Sequence, residues 1–396
     1  MNERQYHNAI SRCVRCGACK ALCPTYFASA NETMSARGRV AMLGGIADKH
    51  LSPGKGIAND IFSCVLCEAC KESCPVGINI PEVIYHARIN LKKRFRKGNM
   101  LRRAVQFSIP RMDTAFTVLR GFQKFFYTPF YRTGRLRHIP EITSAPFKNN
   151  FHIYKNRKRA GRIAIFAGCG VNYFYPRIGE ALLNILLSKQ YEVVVLKGEV
   201  CCGAPMRALG LEDEALKLAQ KNIALFENMR ADAILSACPT CTMVIKQQYP
   251  KLTGKGIPNI MDISEFFLKH EITKGLEVIP EKFTYHDPCH LSYGLGITDE
   301  PRKVLSDIKG FEIVEMKGAK ECCGFGGFFS ACFKEMSLKI GRIKIENIKN
   351  THAETVVTSC PGCMMQLEEL KRQTNAHVNI IHLAEVVDEA MHGQVK

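Results

Sequence analysis

The chain lacks the nucleotide loops that a self-sufficient dehydrogenase needs. No G-x-G-x-x-G follows a strand-like run: GCGVNY (168–173) and GFGGFF (324–329) both fail at the last glycine, and no P-loop string occurs. It also lacks any run near the roughly 18 consecutive apolar residues of a spanning helix, since windows such as ALLNILL soon meet charge. The opening stretch, MNERQYHNAI, is polar and has no apolar h-region, so no secretory signal and a reducing compartment are expected. Thiols are then expected to stay free for metal, in a cytoplasmic protein or one lying peripherally on the inner face of the membrane.

Acidic residues are scarce in one stretch. From Arg88 to Arg137 there are fourteen Lys or Arg residues and a single acid, Asp113, interleaved with Phe107, Phe116, Phe122, Phe125, Phe126, Tyr127, Phe130 and Tyr131. Such a mixture suits an interfacial helix on anionic lipid, a docking face for an acidic partner, or a solvated helical linker with an apolar underside. No nucleic-acid motif accompanies it, so nucleic acid is not an expected partner. The formal charge of +18 counts every cysteine as neutral, and thiolates around metal would lower it.

What the chain has is cysteine. Eighteen of its 19 cysteines fall into four groups. Cys13, Cys16, Cys19 and Cys23 read C-x2-C-x2-C-x3-C-P, and Cys64, Cys67, Cys70 and Cys74 repeat the string with the same trailing proline. Three cysteines at this spacing put three sulfurs around one iron–sulfur cubane within a tight loop, and the last crosses to the other cluster, as in two-cluster ferredoxins. One [4Fe-4S] cluster is therefore expected on Cys13, Cys16, Cys19 and Cys74, and a second on Cys64, Cys67, Cys70 and Cys23. Structural zinc and disulfides explain neither the repeated string nor its proline.

The other ten cysteines form a duplicated C…CCG…CxxC arrangement: Cys169, Cys201, Cys202, Cys238, Cys241, and then Cys289, Cys322, Cys323, Cys360, Cys363. The offsets between copies are 120, 121 and 122 positions, read from Cys169, Cys201 and Cys238. Short β-branched runs precede these cysteines: RIAIFAG, EVVVLKG and DAILSAC in one copy, KFTYHD, FEIVEMKG and ETVVTSC in the other. They predict parallel strands with crossover helices, the cysteines lying just past the strand ends. Adjacent cysteines diverge and cannot easily chelate one small ion, but can serve two irons of a larger cluster, while Gly203 and Gly324 let the backbone come close. His286 and His290, flanking Cys289 in YHDPCH, are expected as supporting residues beside a metal site. Cys332 is expected as a buried apolar residue.

These repeats resemble the cysteine-rich (CCG) domain shared by heterodisulfide reductase, the iron–sulfur subunits of glycolate oxidase and lactate dehydrogenase complexes, and anaerobic glycerol-3-phosphate dehydrogenase. The whole plan, a two-cubane module fused to two such domains, is similar to the iron–sulfur subunits of these dehydrogenases and to one of the heterodisulfide reductase subunits. CPTY (23–26) and SARGRVAML (35–43) resemble the glycolate oxidase subunit, while CCGFGG (322–327) and PGCMMQL (361–367) look like the lactate-type relatives. Both five-cysteine sets are complete, as in heterodisulfide reductase subunits where each holds a noncubane cluster and reduces disulfides.

The resemblance implies an α+β multidomain chain: a helical ferredoxin-like module at 1–97, a basic helical connector at 98–157, and two α/β CCG domains with short parallel sheets at 158–275 and 276–396. It implies one or two noncubane clusters in the repeats, with zinc or no metal in one repeat, or a pure docking role, as alternatives. It further implies FAD on a partner dehydrogenase subunit and a quinone or cytochrome b as membrane partner. The function expected is electron transfer from a glycolate- or lactate-oxidising flavoprotein, with disulfide reduction or glycerol-3-phosphate oxidation as alternatives.

Overall fold

The computed structural model describes residues 1–124, 137, 139–156, 160–227 and 229–393. Phe125, Phe126, Tyr127, Phe130 and Tyr131 lie outside the described residues. The N-terminal module is helical as expected, and among its helices are Ala36–Ala47 and Ile80–Leu91. Ser35 caps the first through Gly38 N at 2.8 Å, and Asn79 caps the second with Pro81 in its opening turn. Val83, Ile84 and Ala87 on one face of Ile80–Leu91 pack into a core with Val40, Leu43, Ile61 and Phe62.

The basic connector forms helices Asn99–Ser108 and Met112–Phe122. Asp113 is its anchor: Tyr173 Oη donates to Asp113 at 2.7 Å, Lys148 pairs with the same carboxylate, and Phe116 stacks on Tyr173 at 4.1 Å. Met100, Phe107, Val118, Leu119 and Phe122 remain exposed. The connector's last residues differ from the linker expected. His152–Tyr154 (β1) pairs antiparallel with Glu192–Val195 (β3), because an edge strand satisfies backbone groups that the sheet would otherwise leave open.

The strands expected from sequence are all present. In the first repeat, Arg162–Ile165 (β2), β3, Ala233–Ser236 (β4) and Ile260–Asp262 (β5) pair in parallel, giving the order β1-β3-β2-β4-β5. In the second, Glu277–His286 (β6), Lys309–Ile313 (β7), Thr355–Thr358 (β8) and Asn379–His382 (β9) pair in the order β7-β6-β8-β9, all parallel. The duplication therefore extends to strand order. Each copy ends on a capped helix, with Asp262 and Glu265, or His382 and Glu385, forming a capping box.

Helices of the two repeats pack on one another. Pro176–Ser188 of the first packs on Leu383–His392 of the second, and Ile263–Lys269 of the first packs on Glu300–Ser306. One apolar cluster runs through both, from Ile178, Leu182 and Leu186 to Leu383 and Val386. That shared core turns the cysteine ends of both sheets toward each other.

Candidate redox centres

In the N-terminal module the sulfurs of the two cysteine strings lie within reach of one another. Cys19, pushed up to about 11 by burial, also feels the charges of Cys13, Cys23, Cys16 and Cys74. Cys70 is raised by burial and by Cys64, Cys67 and Cys23. Cys23, Cys64, Cys67 and Cys70 line one cavity with Leu22, Ile80 and Ile84. Cys16 is exposed and Cys67 buried, so the first set sits at the surface and the second inside.

The surroundings of these sulfurs suit an anionic group. Backbone N–H groups of Leu66 and Ile78 donate to Cys64 and Cys74 at 3.4 and 3.3 Å. Two arginines, Arg39 and Arg88, are wholly buried. Arg39 donates to Asp60 O, Thr25 Oγ1 and Ser63 Oγ, and Arg88 to the carbonyls of Ile61, Phe62, Cys64 and Ala208. Neither has a carboxylate partner among the described residues. A buried guanidinium without a counter-ion is costly, and thiolates around iron supply one.

In each repeat the CxxC pair sits on a helix start. Cys238 and Cys360 are N-caps with extended backbones (φ −142° and −133°), followed by Pro239 and Pro361 in the first turn. Cys241 and Cys363 then face back toward the cap. The CCG loops turn on Gly203 and Gly324, at φ +93° and +87°. At Gly324 a Cβ would also meet Ser337 O at 2.5 Å.

The ten thiols form one continuous line. Cys169 lies beside Cys201, Cys201 beside Cys202, Cys202 beside Cys241, and Cys241 beside Cys238, all as free thiols. Cys238 meets Cys360 of the other repeat, and the line then runs back through Cys363, Cys323 and Cys322 to Cys289. The Cys323–Cys363 sulfur separation is 3.5 Å. The thiol of Cys201, then that of Cys241, holds Cys202 down to about 6; Cys322 and then Cys363 hold Cys323 well below the usual range. Contacts of this kind mark sulfurs gathered closely enough to share metal ions. Cys289 also lies near enough to Cys67 to raise it, so the line reaches the inner cysteine set of the N-terminal module.

One histidine joins all three units. His290 Nε2 donates to Leu66 O at 2.9 Å, between Cys64 and Cys67, and Nδ1 lies 2.8 Å from Thr240 Oγ1, between Cys238 and Cys241. Because a carbonyl only accepts, Nε2 carries the proton and Nδ1 accepts from the threonine. Burial lowers the His290 pKa, in keeping with that neutral ring. The loop before it is held by Asp287, which Arg302 grips with two bonds of 2.8 and 2.9 Å. In the first repeat Glu199 does the equivalent work, accepting from Ala167 N, Gly168 N and Asn172 Nδ2.

His286 is fully buried, and one of its ring nitrogens lies within 4.8 Å of the Cys323 and Cys363 sulfurs. Arg39, Arg88 and Lys344 are not apparent from cysteine spacing; the only signal for Arg39 is its place in the SARGRVAML string. Cys332 is half-buried against the core, less enclosed than expected.

Comparison with known proteins agrees with this arrangement. The Cysteine-rich domain family matches residues 163–246 and 283–368, and the 4Fe-4S dicluster domain family matches 9–78. The probable glycolate oxidase iron-sulfur subunit of Bacillus subtilis (strain 168) is 29% identical, covering 98% of this chain and 95% of that protein. A dihydromethanophenazine:CoB–CoM heterodisulfide reductase subunit of Methanosarcina barkeri is 27% identical, covering 96% and 94%. A fumarate reductase (CoM/CoB) subunit of Methanothermobacter marburgensis is 30% identical over 85% of this chain, which spans 62% of that longer protein. With its 4Fe-4S dicluster domain and two cysteine-rich domains, the chain is similar over nearly its whole length to iron–sulfur oxidoreductase subunits such as those of glycolate oxidase and heterodisulfide reductase.

Proposed function

We propose that the chain is the electron-transfer subunit of a flavin-linked 2-hydroxyacid dehydrogenase complex. A partner FAD flavoprotein oxidises glycolate or lactate, and this chain passes the electrons singly to a quinone or another acceptor. The observation that carries the reading is the unbroken succession of sulfur sites, from exposed Cys16 through the inner set and Cys289 to the Cys238–Cys360 contact.

In this proposal Cys13, Cys16, Cys19 and Cys74 hold one [4Fe-4S] cluster and Cys64, Cys67, Cys70 and Cys23 the other, with noncubane clusters on the ten repeat cysteines. Bound clusters supply one-electron carriers whose potentials depend on hydrogen bonds to sulfur and on burial. The chain's own residues do the rest. Backbone donors at Leu66, Ile78 and Gly324 stabilise sulfur charge, Arg39 and Arg88 balance it, and Ile80 and Ile84 keep water from the inner set. His290 keeps three sulfur-bearing loops in register. The proposed division is 1–97, 98–157, 158–275 and 276–396, with the β1 residues serving the first repeat's sheet.

The connector supports a peripheral place on an anionic membrane. No helix among the described residues is long and apolar enough to cross one, yet Phe107, Leu119 and Phe122 stand exposed beside Arg103, Arg111 and Lys124.

The Cys238–Cys360 contact favours a second reading, in which the two repeats deliver two electrons to one bound disulfide. With two protons this yields two thiols, the electrons arriving from the N-terminal sets. Purifying the chain anaerobically with its native partners and following cluster absorbance separates the readings. Bleaching by glycolate or by D- or L-lactate supports the dehydrogenase and names its substrate, and bleaching by glycerol 3-phosphate assigns that enzyme instead. Reoxidation of the reduced protein by a disulfide alone would move the active site to the repeats.

A further inference from the structure

The two cysteine sets mirror each other, but the residues behind them do not. At the offset of 120 that relates Cys289 to Cys169, His286 corresponds to Phe166. Helices Glu212–Glu227 and Lys334–Lys349 match residue for residue at an offset of 122, which sets Lys344 against Asn222. All four side chains are buried.

Their chemistry differs in one direction. Asn222 is neutral and fully used: it donates to Val200 O, Cys201 O and Tyr249 Oη and accepts from Val200 N. Lys344 bears a charge, donates to Gly318 O and Ala319 O, and has no carboxylate at ion-pair distance among the described residues. Burial lowers its pKa, and against that Cys323, Glu321, Cys322 and Asp287, in falling order, favour the charged form; Asp287 is already gripped by Arg302. Phe166 offers no donor. Neither nitrogen of His286 has a hydrogen-bond partner among the described residues, with Cys323 and Cys363 within 4.8 Å. The ring carries at least one N–H in either charge state.

We propose that Lys344 and His286 make the two repeats unequal redox sites, drawing an added electron to the second cysteine set in preference to the first. Reduction adds negative charge, so a buried ammonium and a free N–H beside Cys323 favour it. An amide and a phenyl ring do not. This rests on the reading that both repeats hold iron–sulfur clusters. The duplication supplies two similar cages, and substitution behind one of them gives electron flow a direction. Lys344 and His286 are positioning residues whose action is on potential.

The test is a redox titration of the anaerobically purified holoprotein, followed by electron paramagnetic resonance and iron analysis. Signals are assigned to the repeats with Cys241→Ser and Cys363→Ser. The second-repeat signal is expected to appear first on reduction. His286→Phe and Lys344→Asn, each installing the first repeat's residue, should each disfavour reduction at that site by about tenfold, about 59 mV for one electron. Iron content and the first-repeat signal should not change. Loss of iron from the second repeat in His286→Phe would make the histidine a ligand and overturn its role as a donor. Unchanged potentials at full iron content in both variants would overturn the inequality while leaving the clusters in place. Only about eight irons in the native protein, the content of two cubanes, would instead overturn the cluster reading and the inequality with it.

Discussion

Replacing His290 with leucine removes a side chain that hydrogen-bonds both the inner cubane loop and the first repeat's CxxC turn. The ring is half-buried, its Leu66 O contact is 2.9 Å and its Thr240 contact 2.8 Å. Each lost bond removes about 1 kcal/mol, and each stranded polar partner adds about 1–3 kcal/mol when water cannot reach it. The carbonyl of Leu66 loses its donor outright, while the Thr240 hydroxyl can rotate toward another acceptor. A total of about 2–4 kcal/mol follows. For a cooperative unit of 150–250 residues, each 1 kcal/mol is worth roughly 2–4 °C, so a fall in Tm of several degrees is expected. The sulfurs are untouched, so iron content should hold. Loosened contact between the Cys64–Cys67 loop and Cys289 should slow electron passage from the N-terminal sets to the repeats. Anaerobic thermal unfolding and stopped-flow reduction measure both. His290→Leu with native Tm and native rates would refute the view that this histidine holds the three units together. Slow transfer with no loss of stability would refute the energetic argument alone.

Other substitutions probe separate parts of the arrangement. Gly324→Ala forces a side chain into a left-handed backbone and against Ser337 O, at a cost of about 1–3 kcal/mol before the clash is counted. Iron analysis should show the second repeat depleted and the first intact. Cys74→Ser should disturb the spectroscopic signal of the Cys13–Cys19 cluster, whereas an effect confined to the Cys64–Cys70 cluster would refute the crossing. Asp262 is raised by burial from 3.8 to about 7, so the folded chain keeps a proton that the unfolded chain has lost. Its contribution is complete below pH 3.8 and fades as pH rises through 7; Asp262→Asn should flatten that part of a stability-against-pH curve. On the connector, Phe107→Ser with Phe122→Ser should weaken sedimentation with anionic vesicles, and added salt should weaken it further.

Much of this molecule is legible without coordinates. The x2 spacing places three thiols in one loop, and the repeated offsets identify β2, β3 and β4 with β6, β7 and β8 before any pairing is seen. Pro81 and the cap residues mark helix starts because those signals act within a turn or two. Strand β1 is less legible: HIY has neither the length nor the apolar run of a core strand, and it pairs only because β3 leaves an edge open.

The amino-acid sequence by itself determined the donor inventory, the duplication and the parallel sheets, because these depend on local spacing and on the period of apolar residues. Tertiary structure alone decided how the donors meet. The Cys238–Cys360 contact lies where two repeats with helices packed on one another meet, and the nearness of Cys67 to Cys289 lies where His290 bridges to the N-terminal module. Lys344 and Asn222 read as ordinary residues of two amphipathic helices. Only packing shows that each is turned inward behind a cysteine set, where water is excluded and a single buried charge weighs on the sulfurs.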